Sequence, residues 1–118
     1  MGNLDGKVAL VTGAGGMRGV GRATALKLAS QGASLAITDV RRPASDLPPS
    51  ELRQEWNSID SVSDEIKDIG ASAYSIYADL SKSEEIQSMV EEVVGHYGRL
   101  DILINNARAV IGRDKVPV

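Results

Sequence analysis

Apolar positions along the chain follow two periods. Val8-Ala9-Leu10-Val11-Thr12 is apolar at both parities and closes at Gly13, which predicts a short strand buried on both faces, as in a parallel sheet. After a glycine-rich stretch from Gly13 to Gly21, Arg22 to Gln31 is rich in alanine and leucine and stops at Gly32. That composition, with glycine just past the end, predicts a helix. Ser34 to Thr38 reads as a second strand ended by Asp39, and Ser72 to Ala78 as a third. Between them Ile59, Val62, Ile66 and Ile69 recur at three, four and three, one helical stripe that ends at Gly70. Ser81-Lys82-Ser83-Glu84 has the spacing of a capping box. Behind it Ile86, Met89, Val90, Val93 and Val94 repeat at three and four, a stripe read as core packing. Leu100 to Ile104 reads as a fourth strand running into Asn105-Asn106.

The periodicity fails from Arg41 to Trp56, where Pro43, Pro48 and Pro49 stand among Ser, Asp and Arg. This predicts a proline-rich loop or short turn-rich insertion over 41–56, read as a surface excursion in preference to a mobile flap. Elsewhere strands and helices alternate as β-α-β-α-β-α-β. That order implies an α/β fold, a doubly wound parallel sheet with right-handed crossovers. The 118 residues suit a single domain over 1–118.

Composition narrows the function. Thirteen Lys and Arg against sixteen Asp and Glu give a net charge of −3, which supplies no basic excess for a nucleic-acid partner. Trp56, Tyr74, Tyr77 and Tyr97 are the only aromatics apart from His96, too few for a base-stacking platform. With no cysteine there are no disulfides, thiolate nucleophiles or thiolate zinc sites, and His96 has no second histidine to share a metal. The N-terminal residues carry no leader pattern, Gly6 stands where myristoylation wants Ser or Thr, and no apolar run is long enough for a bilayer. The expectation is a cytoplasmic chain without a membrane or metal.

Chemistry is expected beyond the carboxyl ends of the strands, near the point where strand order reverses. After the first strand, Gly13-Ala14-Gly15-Gly16-Met17-Arg18-Gly19-Val20-Gly21 opens directly into a helix. Missing Cβ atoms and the positive end of a helix suit an approaching pyrophosphate. The strict G-x-G-x-x-G spacing fails at Arg18, and no Gly-Lys-Ser/Thr of a Walker loop follows. Alone, the run also fits a structural hinge. Asp39 sharpens the reading. It ends the second strand twenty residues after Gly19, near the spacing at which a carboxylate accepts from an adenosine ribose and repels a 2′-phosphate. Arg18, Arg41 and Arg42 pull toward NADP through their guanidinium groups. The position of Asp39 favours NAD over NADP.

With these residues in place, the chain resembles the N-terminal, cofactor-binding half of a short-chain dehydrogenase/reductase. Four pieces carry the resemblance in order: Thr12-Gly13 to Gly19-Val20-Gly21, Asp39, Ala78-Asp79-Leu80, and Asp101-Ile102-Leu103-Ile104-Asn105-Asn106-Ala107. The resemblance implies a partial Rossmann-type fold, a three-layer sandwich cut off after the fourth strand. It puts Gly13, Arg18, Gly19 and Val20 on the pyrophosphate side of the cofactor. Asp79 and Leu80 would border the adenine, Asn106 and Ala107 would lie close to the riboses, and Asn105 would stabilise the central strands. Two departures concern the loop and its opposite wall. Five residues separate Gly13 from Gly19 where the family usually has three, a length that resembles the enoyl-reductase branch, and Arg108 replaces the usual glycine. The third concerns catalysis. The family uses a Ser, a Tyr and a Lys four residues after the Tyr, and no Tyr-x-x-x-Lys occurs here. The chain therefore names no catalytic residue.

The resemblance implies a nicotinamide dinucleotide partner and a small carbonyl/alcohol substrate, the latter only with the rest of such an enzyme. Without a fifth strand, Leu100 to Ile104 would form an apolar edge open to association, a route to a homo-oligomer. The helix of residues 84–97 would lie alone on its face of the sheet. Three functions stay open: half of an oxidoreductase, a nucleotide-binding module without catalysis, and an interaction partner of a full-length relative.

Overall fold

The computed structural model describes residues 3–41 and 47–106. Four strands, β1 (Val8–Thr12), β2 (Ser34–Asp39), β3 (Ala73–Tyr77) and β4 (Ile102–Ile104), form one parallel sheet in the order β3-β2-β1-β4. Val8 pairs with Ser34, Leu35 with Ala73, and Ala9 with Ile102. The order reverses at β1, whose two neighbours lead the chain to opposite sides. The crevice between β1 and β4 is thus the switch point of a partial Rossmann-type α/β fold.

All five residues of β1 are buried, as apolarity at both parities requires. On one face Ala9, Val11, Leu35 and Ile37 pack against α1 (Val20–Ser30), through Ala25 and Ala29, and α3 (Ser58–Asp68), through Ile59, Val62 and Ile66. On the other, Val8, Leu10, Ala36 and Ile76 meet Met89 and Val93 of α4 (Ser83–Tyr97). Leu10, Leu35, Ile37, Ile59 and Ile66 are wholly enclosed, each contributing about 1.5–3 kcal/mol of transfer free energy.

Several local details differ from the sequence reading. Helix α1 begins at Val20, because Gly19 already holds the extended conformation of an N-cap. Ile69 is 53% exposed; it is the C-cap of α3, where the stripe has rotated off the core. The capping box does not form. Instead Oδ1 of Asp79 accepts from the Ser81 amide and hydroxyl at 3.0 and 2.7 Å, and Glu85 reaches back to the Asp79 amide at 2.7 Å. Strand β4 keeps only three residues. Before it, the Asp101 carboxylate takes the place of a main-chain acceptor for the Val8 amide, at 2.9 Å. Only half of the α4 stripe is core: Met89 and Val93 are buried, whereas Ile86, Val90 and Val94 are 39%, 36% and 42% exposed. Leu103, on the same side of edge strand β4, is 58% exposed, and α4 is the only helix on that face among the described residues. Within 41–56, Pro49–Arg53 forms one short helix, α2. No helix of the described residues is long and apolar enough to cross a membrane.

Candidate functional site

An open crevice of about 1160 Å³ lies at the carboxyl ends of the strands. The turn after β1 supplies its first wall through Gly13, Arg18, Gly19 and Val20. Asp39 closes β2 on the second wall, and Asp79 with Leu80, after β3, the third. Asn106, after β4, completes the circuit. The fold thus brings together every described residue that the sequence nominated. Ala107 lies outside the described residues.

The glycine-rich turn is shaped for close approach. Gly13 has φ +67°, a left-handed conformation that suits glycine. At Gly21 a Cβ would stand 2.5 Å from the Gly13 carbonyl oxygen and 2.9 Å from Nδ2 of Asn106, so only glycine lets α1 start this close to β1. Gly19 carries no side-chain cap, and the first-turn amides of α1 remain available for an anion at the positive end of the helix. Arg18 adds a formal positive charge on the same wall.

Thr12 couples the end of β1 to the chain that leaves β4. Its hydroxyl donates to Oδ1 of Asn105 at 3.1 Å and accepts from the Asn106 amide at 2.9 Å, while Asn106 Nδ2 donates to the Gly13 carbonyl at 3.2 Å. This supports the structural role expected of Asn105. It also gives Asn106 a hold on the turn that the sequence did not reveal.

Both carboxylates on the crevice are partly engaged by main chain. Asp39 accepts from the Gly15 amide at 2.7 Å through Oδ2 and from the Val40 amide at 2.8 Å through Oδ1. The Ser81 hydroxyl and amide, with the Lys82 charge, hold the Asp79 carboxyl below the usual range. Both Asp39 oxygens retain a further lone pair, and on Asp79 it is Oδ2 that does, since Oδ1 already accepts twice. Of the three arginines set against Asp39, Arg18 faces the crevice, Arg41 stacks over the Tyr77 ring at 4.0 Å, and Arg42 lies outside the described residues.

Sequence reasoning missed two contacts on the turn. Glu51 of α2 accepts from the Met17 amide at 2.8 Å, and Trp56 Nε1 donates to the Gly15 carbonyl at 2.7 Å. The sole tryptophan, amid prolines and serines, was the available signal. No cluster of three or more His, Cys, Asp or Glu able to hold a metal occurs among the described residues.

Residues 7–116 match the family described as short chain dehydrogenase. A cyclohexanol dehydrogenase from a Rhodococcus species is 42% identical over 109 residues, covering 92% of this chain and 39% of that enzyme. A hydroxynaphthalene reductase of Aspergillus fumigatus is 42% identical over 104 residues, 88% of this chain and 33% of that one. Among solved structures, a short chain dehydrogenase from Mycobacterium avium superposes with a TM-score of 0.76 at 36% identity, over 94% of this chain and 36% of that one. A carveol dehydrogenase from the same organism, in complex with NAD, gives 0.71 at 31%, over 92% and 38%. The chain spans about a third to two fifths of the length of these relatives.

Proposed function

This chain belongs to the short-chain dehydrogenase family, and on that premise we propose that it is the nucleotide-binding half of an oxidoreductase acting on a carbonyl/alcohol pair with NAD. The observation that carries the reading is the convergence of Gly13, Arg18, Asp39, Asp79 and Asn106 on one crevice at the strand ends. When bound there, the dinucleotide supplies hydride chemistry. The chain's residues bind and orient it. The glycine turn and the α1 amides receive the diphosphate, Asp39 accepts from the adenosine ribose, and Asp79 and Leu80 border the adenine. Asn106 lies near the riboses, the neighbourhood in which the family resemblance also puts Ala107. Residues 1–118 act as one unit, with 41–56 inserted between β2 and α3, and its place of action is the cytoplasm.

The charge of Asp39 argues for NAD over NADP, since a 2′-phosphate beside it meets a like charge. Titration of the 118-residue chain with NADH and NADPH, followed by calorimetry, tests this. Tighter NADH binding is expected; equal affinities overturn the preference, and binding of neither overturns the nucleotide reading. Because no Tyr-x-x-x-Lys occurs, the isolated chain is expected to bind without turnover. Cofactor-dependent turnover by it alone would refute that.

A second reading has its own observation. Leu103 is 58% exposed on edge strand β4, so pairing with a second copy or a full-length relative through this edge is also proposed. Sedimentation velocity decides: concentration-dependent association is expected, and a monodisperse monomer overturns the self-pairing form. Mixing with a full-length relative tests the other.

A further inference from the structure

The glycine-rich turn is long: five residues separate Gly13 from Gly19, two more than the usual family pattern has. Two of the five are glycine, and chain of this kind loses much freedom when it is fixed. In the structure it is held from outside the crevice. The Met17 amide donates to Oε2 of Glu51 at 2.8 Å, and the Gly15 carbonyl accepts from Trp56 Nε1 at 2.7 Å. The two holding residues are tied to each other, because the Trp56 amide donates to the Glu51 carbonyl at 2.9 Å. Arg22 finishes the frame. It donates to the Met17 carbonyl at 2.9 Å, forms a two-pronged pair with Glu65 of α3 at 2.7 and 2.8 Å, and lies over the Trp56 ring at 5.2 Å.

Two further features accompany this grip. Glu51 is only 4% exposed, an unusual burial for a glutamate on a five-residue helix. Glu55 and Ser58, on either side of Trp56, have φ of +55° and +53°. Residues other than glycine rarely adopt that conformation, and it persists only where surrounding contacts enforce it.

We propose that Glu51 and Trp56 are positioning residues of the nucleotide site, holding Gly15–Met17 so that Gly16, Arg18 and Gly19 face the diphosphate. The inference rests on the nucleotide reading above and deepens it. Neither residue lines the crevice, so each acts through the turn. Ordering the turn in advance spares the ligand the cost of ordering it, and the benefit falls chiefly on the diphosphate. Adenosine, which lies against Asp39, Asp79 and Leu80, does not need the turn's far side.

The test compares ADP-ribose with adenosine as probes of the 118-residue chain, by calorimetry and by NMR titration for the weaker ligand. Wild type, Trp56→Phe, Glu51→Ala and Glu51→Gln are each first checked for a cooperative melt. Trp56→Phe and Glu51→Ala are expected to weaken ADP-ribose by about fivefold or more, as the loss of one hydrogen bond implies, and adenosine by less than about twofold. Glu51→Gln keeps an oxygen for the Met17 amide and is expected to stay within about threefold of wild type. A parallel fall for both ligands, or an unchanged ADP-ribose affinity in folded variants, overturns the proposal while leaving the nucleotide reading intact. If Glu51→Ala does not fold, Trp56→Phe, which keeps a ring in place, decides alone. A wild-type chain that binds neither probe overturns both.

Discussion

The Gly15 amide donates to Oδ2 of Asp39 at 2.7 Å, so the acid that closes β2 is bound to the glycine-rich turn. The surroundings also explain the residue type at the turn, because a Cβ on Gly15 would run into the Ser58 hydroxyl and stand 2.7 Å from that carboxylate oxygen. One carboxylate thus joins two walls of the crevice while keeping lone pairs for a ribose.

Asp39→Ala is expected to weaken NADH by about ten- to a hundredfold, the range for losing hydrogen bonds to a charged group. NADPH binding should hold or improve, since the like charge is gone. The melting temperature should fall as well, because the Gly15 amide loses its acceptor. Paired NADH and NADPH titrations with a thermal melt check all three, and an unchanged NADH preference would sink the assignment.

Thr12 gives a second prediction. The residue is 2% exposed, and its hydroxyl stands between the Asn105 side chain and the Asn106 amide. Thr12→Val preserves shape but strands both partners, for an expected loss of about 1–3 kcal/mol. Thr12→Ser keeps the hydroxyl and should lose about 1 kcal/mol, near the worth of one buried methyl. Urea unfolding of the three proteins separates hydroxyl from methyl.

How far the sequence carried these conclusions depends on the range of the contacts involved. Strands β1 and β2 were legible because burial on both faces leaves a continuous apolar run. Asp39 was legible because its distance from Gly19 is set by one helix and one strand. The grip of Glu51 and Trp56 was not, since it depends on a proline-rich segment folding back across 34 and 41 residues to Met17 and Gly15. The end of α4 that faces the crevice misled for a related reason. Ser81 and Glu84 have capping-box spacing, yet Asp79 competes for the Ser81 amide and Glu85 for the Asp79 amide. Spacing alone does not rank two acceptors within one turn of chain. The exposed half of the α4 stripe reads in sequence like its buried half, because periodicity reports a face and not its cover.

Glycines in the two kinds of setting should respond oppositely to alanine. Gly21→Ala forces a Cβ to 2.5 Å from the Gly13 oxygen and is expected to cost about 1–3 kcal/mol, as overpacking does, with weakened NADH binding as α1 shifts. Gly95, inside α4, has nothing within 4 Å of an added Cβ. Gly95→Ala should stabilise the chain by about 0.5–1 kcal/mol through helix propensity. Chemical denaturation of both variants checks the contrast.

The last prediction concerns pH, and the two ends of the scale involve different groups. The Arg99 side chain, at 2.8 and 2.9 Å, and then the Val8 amide hold the Asp101 carboxyl below its usual range. Ser81 does the same for Asp79. A carboxyl whose folded value is depressed adds stability above its unfolded value, about 3.9, and that contribution is lost as pH falls through the folded value. Burial raises the Tyr97 phenol, partly offset by its hydrogen bond with Ser72, while its hydroxyl donates to the Leu35 carbonyl at 2.9 Å. A phenol whose folded value is raised adds stability below its unfolded value, about 10, and loses it as pH rises through the folded value. Urea unfolding across the pH range should therefore show an acid limb that flattens in Asp101→Asn and an alkaline limb that flattens in Tyr97→Phe. Each variant should be less stable than wild type near neutrality, where both contributions are fully present. An Asp101→Asn chain that keeps the full acid limb would assign that limb to other carboxylates.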